Sequence, residues 1–448
     1  MKNTSPLQIG IFIACGIGVI LAVLIFSDKL PIGKKSAQTV SGSVTMWGTL
    51  PYTAFKAAAE PLAKTYKDIT FQYVQKNPAT FQSDLVNALA SGVGPDLITL
   101  TPADVMVNLP RITQIPYTSL PQSTYLGTFT PQAAQFLTES GTTALPFVVD
   151  PLVLYFNKDL FTSAFALSAP KTWDEVANLN AVMTKRDEAG LLTQQTIALG
   201  AFDNISHAKE IIAALAFQAG NPIVTWDTDQ KKYRSTVIEG EQGSSFARAL
   251  EFYTSFANSS SSHYTWSPKL PMDRDQFIAG KLGMYIGYAS ELAAIRAKNP
   301  NLNFDIALLP QRSATATKST YGALTGIAIV KMTKNPAASL AIAQELVKQP
   351  IIATYIAATP GFAPARRDML GTQESDARTT IIYNSAIIAR SWIDPDALQT
   401  KSILRKAVGD INAGSTTAES VISGIESLFG ALLDKVQPAS SSVETLTL

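Results

Sequence analysis

From Ile9 to Phe26 the chain reads IGIFIACGIGVILAVLIF, 18 residues without one charged side chain. At about 1.5 Å of rise per residue this run makes roughly 27 Å of helix, close to the hydrocarbon thickness of a bilayer. The run predicts one N-terminal transmembrane helix, with residues 1–30 as the anchor or signal segment. It serves best as an uncleaved anchor; a cleaved secretory signal and a lipoprotein signal are the alternatives. Lipidation would fall on Cys15, yet Cys15 lies within the run, with Phe12 where a lipobox has Leu. Lys2 precedes the run and Lys29, Lys34 and Lys35 follow it, so flanking charge leaves the orientation to the body of the protein.

The body, too long for one hydrophobic core, calls for about two lobes. A formal charge of +1, with no basic cluster, argues against nucleic acid, whose phosphates need a dense Lys/Arg face. The single cysteine excludes disulfides within the chain and a cysteine-based zinc site. His207 and His263, the two histidines, stand in no metal-ligand spacing and read as structural or exposed. Gly92 and Gly94 begin a dinucleotide fingerprint that fails at Leu97, and no GKS or GKT phosphate loop occurs, so no cofactor is expected. Asp227 and Asp229 open like a calcium loop, but Lys231 and Ile238 stand where oxygen ligands are needed. Asp394 and Asp396 are a carboxylate pair of the kind glycosidases use, and by residue type they read as solvated surface.

Residues 31–43 are rich in Gly, Ser, Lys and Thr and read as a tether. Strand-like VTMW (Val44 to Trp47), a helical pattern through Phe55, Ala58 and Leu62, and strand-like ITFQYV (Ile69 to Val74) form a β-α-β opening. The amphipathic FQSDLVNALASG and the short apolar run Leu97 to Leu100 continue the alternation, which predicts an α/β fold with a mostly parallel sheet. Thr172, three residues before Glu175, has the form of a capping box opening a helix, and Trp173 beside it reads as structural. Asn335-Pro336 has the form of a cap and first-turn proline. Asn258 to His263 reads as a loop and residues 438–448 as a disordered tail.

Four segments, in order, resemble the bacterial extracellular solute-binding proteins typified by maltose-binding protein: VTMW at 44–47, ALASGVGPDLITL at 88–100, ALPFVVDPLVLYFNKDLF at 144–161 with APKTWDEV at 169–176, and FIAGKLGMYIG at 277–287. The resemblance covers most of residues 44–349 and continues loosely through TPGFAPARRDM at 359–369. It implies a periplasmic-binding-protein-like, two-lobe Venus flytrap that closes on a solute. By that analogy residues 44–148 and 311–349 form lobe one, and residues 149–310 and 350–437 form lobe two, with a first hinge near Asp150-Pro151.

Carried over by position, the resemblance offers Trp47 and Thr49 at the end of the first strand, Thr101 and Asp104 after the second cleft strand, and Asp150 where maltose-binding protein has a sugar-contacting glutamate. Tyr288 and Ser290 follow the GMYIG strand, Ser290 standing where the family often has tryptophan. Tyr321, Arg366 and Trp392 are later candidates, Trp392 either for stacking on a ligand or for core packing. Leu100 replaces an aromatic position, which favours a small sugar or similar polar solute over a long stacked maltodextrin. The resemblance implies a membrane-anchored, extracytoplasmic and monomeric binding protein, not an enzyme, that delivers solute to an ABC permease. A membrane-anchored ligand sensor and a secreted carbohydrate-active enzyme are the alternatives.

Overall fold

The computed structural model describes residues 40–240, 244–371 and 376–437. The apolar run Ile9–Phe26, the tether up to residue 39 and the tail 438–448 lie outside the described residues. Among those described, no helix is long and apolar enough to cross a membrane.

The opening is parallel as the alternation predicts, its first strand starting two residues before Val44, but beyond it the sheet is mostly antiparallel and not mostly parallel. Strand β1 (Gly42–Gly48) pairs in parallel with β2 (Ile69–Gln75) on one side and with β3 (Leu97–Leu100) on the other. Parallel neighbours need a crossover, here supplied by α1 (Tyr52–Ala59) and α2 (Phe81–Ala90), whose apolar faces bury Phe55, Phe81 and Leu85. The C-terminal ends of β1 and β3 therefore open at the same edge of the sheet.

Strand β4 (Leu145–Asn157) organises everything beyond. Its sequence, LPFVVDPLVLYFN, is almost uninterruptedly apolar, and nearly every residue is buried, as expected of a strand covered on both faces. Strands β5 (Leu192–Ile197), β6 (Leu282–Tyr288), β7 (Phe304–Ala307) and β8 (Thr320–Val330) complete a main path of β2-β1-β3-β8-β4-β6-β5, with β7 pairing beside it on β4. Through Pro151, β4 pairs with β8; from Leu152 onward it pairs with β6 and β7. One strand thus passes from one half of the sheet to the other at Pro151. Proline lacks an N–H for the ladder, so Pro151 sits where one set of partners gives way to the next, and Pro146 sits at the register shift opposite Thr325/Gly326.

Among the helices around the second half are α3 (Trp173–Met183), α4 (Ala208–Gln218), α5 (Ala397–Asn412) and α6 (Ala418–Val436). Thr172 caps α3 through the Glu175 N–H, while the Glu175 carboxylate reaches back to the Lys171 N–H, one residue beyond the cap position a full capping box uses. Trp173 is structural, as its sequence context indicates: it is buried and its indole N–H donates to Gln218 Oε1 at 2.7 Å. Asn335 does not cap its helix through the side chain; its amide donates instead to the Ser43 carbonyl. The helix Gln349–Ala358 packs Tyr355 against Phe55 and Phe147, beside α1, so these residues sit with the first half of the sheet and not with the second.

The halves also meet behind the strands, where Gly361 holds φ +123°. A Cβ there would lie 2.5 Å from the Ala289 carbonyl oxygen and 2.6 Å from Ser290 Cα, so this approach requires glycine.

Candidate functional site

Asp150 is the only charged residue on β4, one position before the change of partners, and it is buried. Its Oδ1 accepts the Ser290 N–H at 3.1 Å, which ties the crossing strand to the turn after β6. Burial pushes its carboxyl up to about 7, and the charge of Glu291 adds to the shift; bonds from Ser290 and the imidazole of His207 oppose it.

The residues around Asp150 come from β6, β8 and the start of α4. Tyr288 ends β6, edge-on to His207 at 4.8 Å, and its ring lies 6.5 Å from that of Tyr321 on β8. Tyr321 lies 6.5 Å from Phe217 with the rings nearly parallel. His207 immediately precedes α4, and its Nε2 stands 2.6 Å from Glu291 Oε1. Glu291 also accepts the Tyr285 hydroxyl and the Tyr288 N–H, and Arg274 lies 3.3 Å away. Burial opposes ionisation of Glu291, yet His207, Tyr285 and the Tyr288 N–H together hold its carboxyl below the usual range. For His207, burial disfavours the cation, but Glu291 outweighs it and raises the imidazole.

Across from this group, the ends of β1 and β3 carry the other candidates. Asp104 accepts the Thr101 hydroxyl at 2.6 Å, the Thr101 N–H at 3.2 Å and the Gln82 amide at 2.9 Å. Burial raises its carboxyl and these bonds counter it, while the charge of Asp394 from beyond β8 adds to the rise. Thr49 donates its N–H to Thr99 Oγ1. Trp47 is half-buried, and the Lys76 ammonium lies 3.5 Å from its ring centre.

The sequence-derived candidates therefore separate. Asp150, Tyr288, Ser290 and Tyr321 converge, and Asp104 with Thr101 is near enough for the Asp104 charge to reach the Tyr321 phenol. Trp47 and Thr49 occupy the adjoining strand end and share no hydrogen bond with Asp150 among the described residues. Arg366 is committed elsewhere: its guanidinium donates twice to Asp368, at 3.0 and 2.7 Å, and once to the Val347 carbonyl. Trp392 is 3% exposed and stacks on Phe429 at 5.7 Å, so packing is the role its surroundings give it.

Glu291, Arg274, Glu210, Lys209 and Thr400 were not singled out from sequence. Glu210, in the first turn of α4, reaches the phenols of Tyr288 and Tyr321 with its charge and has no hydrogen-bond or ion-pair partner among the described residues. Lys209 is buried and paired with Asp394, and Thr400 joins them, donating to Asp394 at 2.9 Å. Asp394 is thus a buried partner of a lysine, not solvated surface, while Asp396 caps α5 through the N–H groups of Leu398 and Gln399. The signal available in sequence was local: His207, Lys209 and Glu210 crowd the four positions before the apolar run that begins at Ile211. Among the described residues no group of three or more His, Cys, Asp or Glu could hold a metal ion.

The arrangement is a polar and aromatic cluster where β4 crosses from one half of the sheet to the other, and residues 57–380 match the family model for bacterial extracellular solute-binding proteins. The chain belongs to that family. Its members are binding proteins and not enzymes, which fits a site built from spent hydrogen bonds and aromatic faces. Solved structures agree on the two-lobe fold of this solute-binding protein. The cyclic alpha-maltosyl-1,6-maltose binding protein from Arthrobacter globiformis aligns with TM-score 0.72 and 16% identity over 88% of this chain and 100% of its own. The sugar-binding protein MalE from Xanthomonas citri aligns with TM-score 0.70 and 17% identity, over 88% and 98%. The GacH receptor of Streptomyces glaucescens, solved unliganded and with acarbose, aligns with TM-score 0.66 and 17% identity, over 89% and 100%. At these identities the likeness is one of fold. No curated protein matches the sequence.

Proposed function

We propose that this solute-binding protein captures a carbohydrate or similar small polar solute in the cleft between its lobes and delivers it to an ABC-type importer. Its body lies on the extracytoplasmic side, with Ile9–Phe26 as a single-pass anchor. The observation that carries the reading is the convergence of Asp150, Tyr288 and Tyr321 at the point where β4 changes partners. Sugars present hydroxyls that need acceptors and apolar C–H faces that stack on rings, and this pocket offers both. The proposed lobes are residues 44–148 with 311–349, extended by the helix Gln349–Ala358, and residues 149–310 with the remainder through 437. They close by hinge motion about Asp150-Pro151 and the adjoining stretch of β8. Partners are the solute and permease subunits in the membrane.

Calorimetric titration with maltose, maltotriose, maltotetraose and tagatose tests the reading. Asp150→Ala should weaken binding of whichever sugar binds by more than about tenfold, or 1.4 kcal/mol, if the carboxylate bonds a ligand hydroxyl. Unchanged affinity in a folded Asp150→Ala protein removes Asp150 from the site. Hydrolysis of the sugar during titration would instead indicate an enzyme.

A further inference from the structure

We infer that His207 is a solute-contacting residue of the cleft and that Glu291 is the residue that positions it. This rests on the reading of the cleft as the solute site and adds a contact that sequence position did not offer. Glu291 has both carboxylate oxygens in use. Its Oε1 takes His207 Nε2 at 2.6 Å and the Tyr288 N–H at 3.0 Å, and its Oε2 takes the Tyr285 hydroxyl at 2.8 Å, with the Arg274 guanidinium 3.3 Å away. With 13% of its side chain exposed, it has little left to offer a solute. Its bonds instead join the turn after β6 to the residue that opens α4.

The imidazole is fixed on two sides. Nε2 is held by Glu291, and the ring stands edge-on to Tyr288 at 4.8 Å, with the Tyr288 ring in turn 6.5 Å from that of Tyr321. Tyr288 lies two residues before Ser290, whose N–H donates to Asp150, so contacts place His207 in the same cluster. A carboxylate accepting at Nε2 keeps the hydrogen on that nitrogen and leaves Nδ1 as the free polar atom of the ring. Nδ1 has no hydrogen-bond partner among the described residues, and 19% of the side chain is exposed. A solute hydroxyl satisfies Nδ1 in either charge state, donating to its lone pair when the ring is neutral and accepting its hydrogen when the ring is charged. The titratable and charged groups around the ring are Glu291, Tyr285 and Tyr288 from β6 and its turn, Asp273 and Arg274 from the helix Asp273–Ile278, Glu210 from α4 and Asp150 from β4. Burial disfavours the cation and Glu291 outweighs it, so without the Glu291 charge the ring loses its proton at lower pH.

The test is NMR of the full-length chain in detergent micelles with the histidine ring carbons labelled, which gives two signals because the chain has two histidines. His263 stacks on Phe256 and stands 3.0 Å from Ser255 Oγ, outside the cluster, and serves as the internal reference; His207→Gln assigns the signals. Saturation with whichever of maltose, maltotriose, maltotetraose and tagatose binds should move the His207 signal and leave that of His263 in place. His207→Ala should weaken that sugar about tenfold or more in calorimetry. With no sugar present, Glu291→Gln should lower the pH midpoint of the His207 ring by about one unit or more. Should that variant fail to fold, Glu291→Asp, whose shorter side chain draws the carboxylate off the ring, should lower the midpoint in the same direction. Adding Glu291→Gln to His207→Ala should cost less than about twofold further in affinity, because Glu291 acts through the ring. A sugar that binds with the His207 signal unmoved, or that is indifferent to His207→Ala, overturns the contact and leaves a sugar receptor in place. An unchanged midpoint in the Glu291 variants, or additive losses in the double variant, overturns the positioning. If none of the four sugars binds, the receptor reading falls and the contact with it.

Discussion

A carboxyl raised to about 7 makes Asp150 the residue whose removal is most informative. Unfolded, this group loses its proton near its ordinary value of 3.8; folded, it keeps the proton until about pH 7. Between those values the folded state holds more protons, so rising pH disfavours folding, and above about 7 that loss is complete. Asp150→Asn should therefore melt at nearly the wild-type temperature at about pH 3 and increasingly above it as pH rises towards about 8, in thermal unfolding of the two proteins side by side. A variant less stable than wild type at pH 8 would contradict the account. His207 titrates in the same sense, since its raised imidazole contributes stability that is lost as pH rises, and because its charge acts on Asp150 part of the difference between the two proteins passes through it. Asp150 could be singled out in sequence because the resemblance places it where maltose-binding protein has a sugar-contacting glutamate. Glu210 could not, because a glutamate in the first turn of a helix is ordinary unless the strands brought against that turn are known.

Among the elements, α4 is the one whose placement the pocket depends on, since it supplies His207, Glu210 and Phe217. Lys209 and Asp394 fix it to the segment before α5, with Thr400 and the Ala397 carbonyl taking further hydrogen bonds. Removing one partner of a buried pair leaves a buried charge, so Lys209→Met should cost about 3–5 kcal/mol in denaturant unfolding, and adding Asp394→Leu should recover most of the loss. A cost below about 1 kcal/mol for Lys209→Met would show that the pair does not anchor α4. Local elements were well written in sequence: the β-α-β opening follows from side-chain periodicity and the Thr172 cap from its spacing to Glu175. The pairing of Lys209 with Asp394 was not, because they lie 185 positions apart and only the tertiary fold joins them. Arg366 shows the same limit, since its partner Asp368 lies two residues away but nothing in the sequence chooses that partner over the cleft.

At the scale of the whole molecule, the family and the two-lobe α/β architecture were legible because four ordered segments reach most of the way along the chain, and the match over residues 57–380 agrees. The division into halves was less so: the helix Gln349–Ala358 packs with the first half through Tyr355, a contact fixed by shape and not by periodicity. The account as a whole holds that this molecule exists to bind a small polar solute between its halves. Its most direct test is a thermal-shift screen of the full-length chain in detergent against mono- and oligosaccharides, aminated sugars, polyamines and metal ions. A sugar held at about 100 times its dissociation constant should add roughly 2.7 kcal/mol of stability and visibly raise the melting temperature, without being consumed. No shift with any sugar, or a shift that fades as the sugar is hydrolysed, would contradict the account.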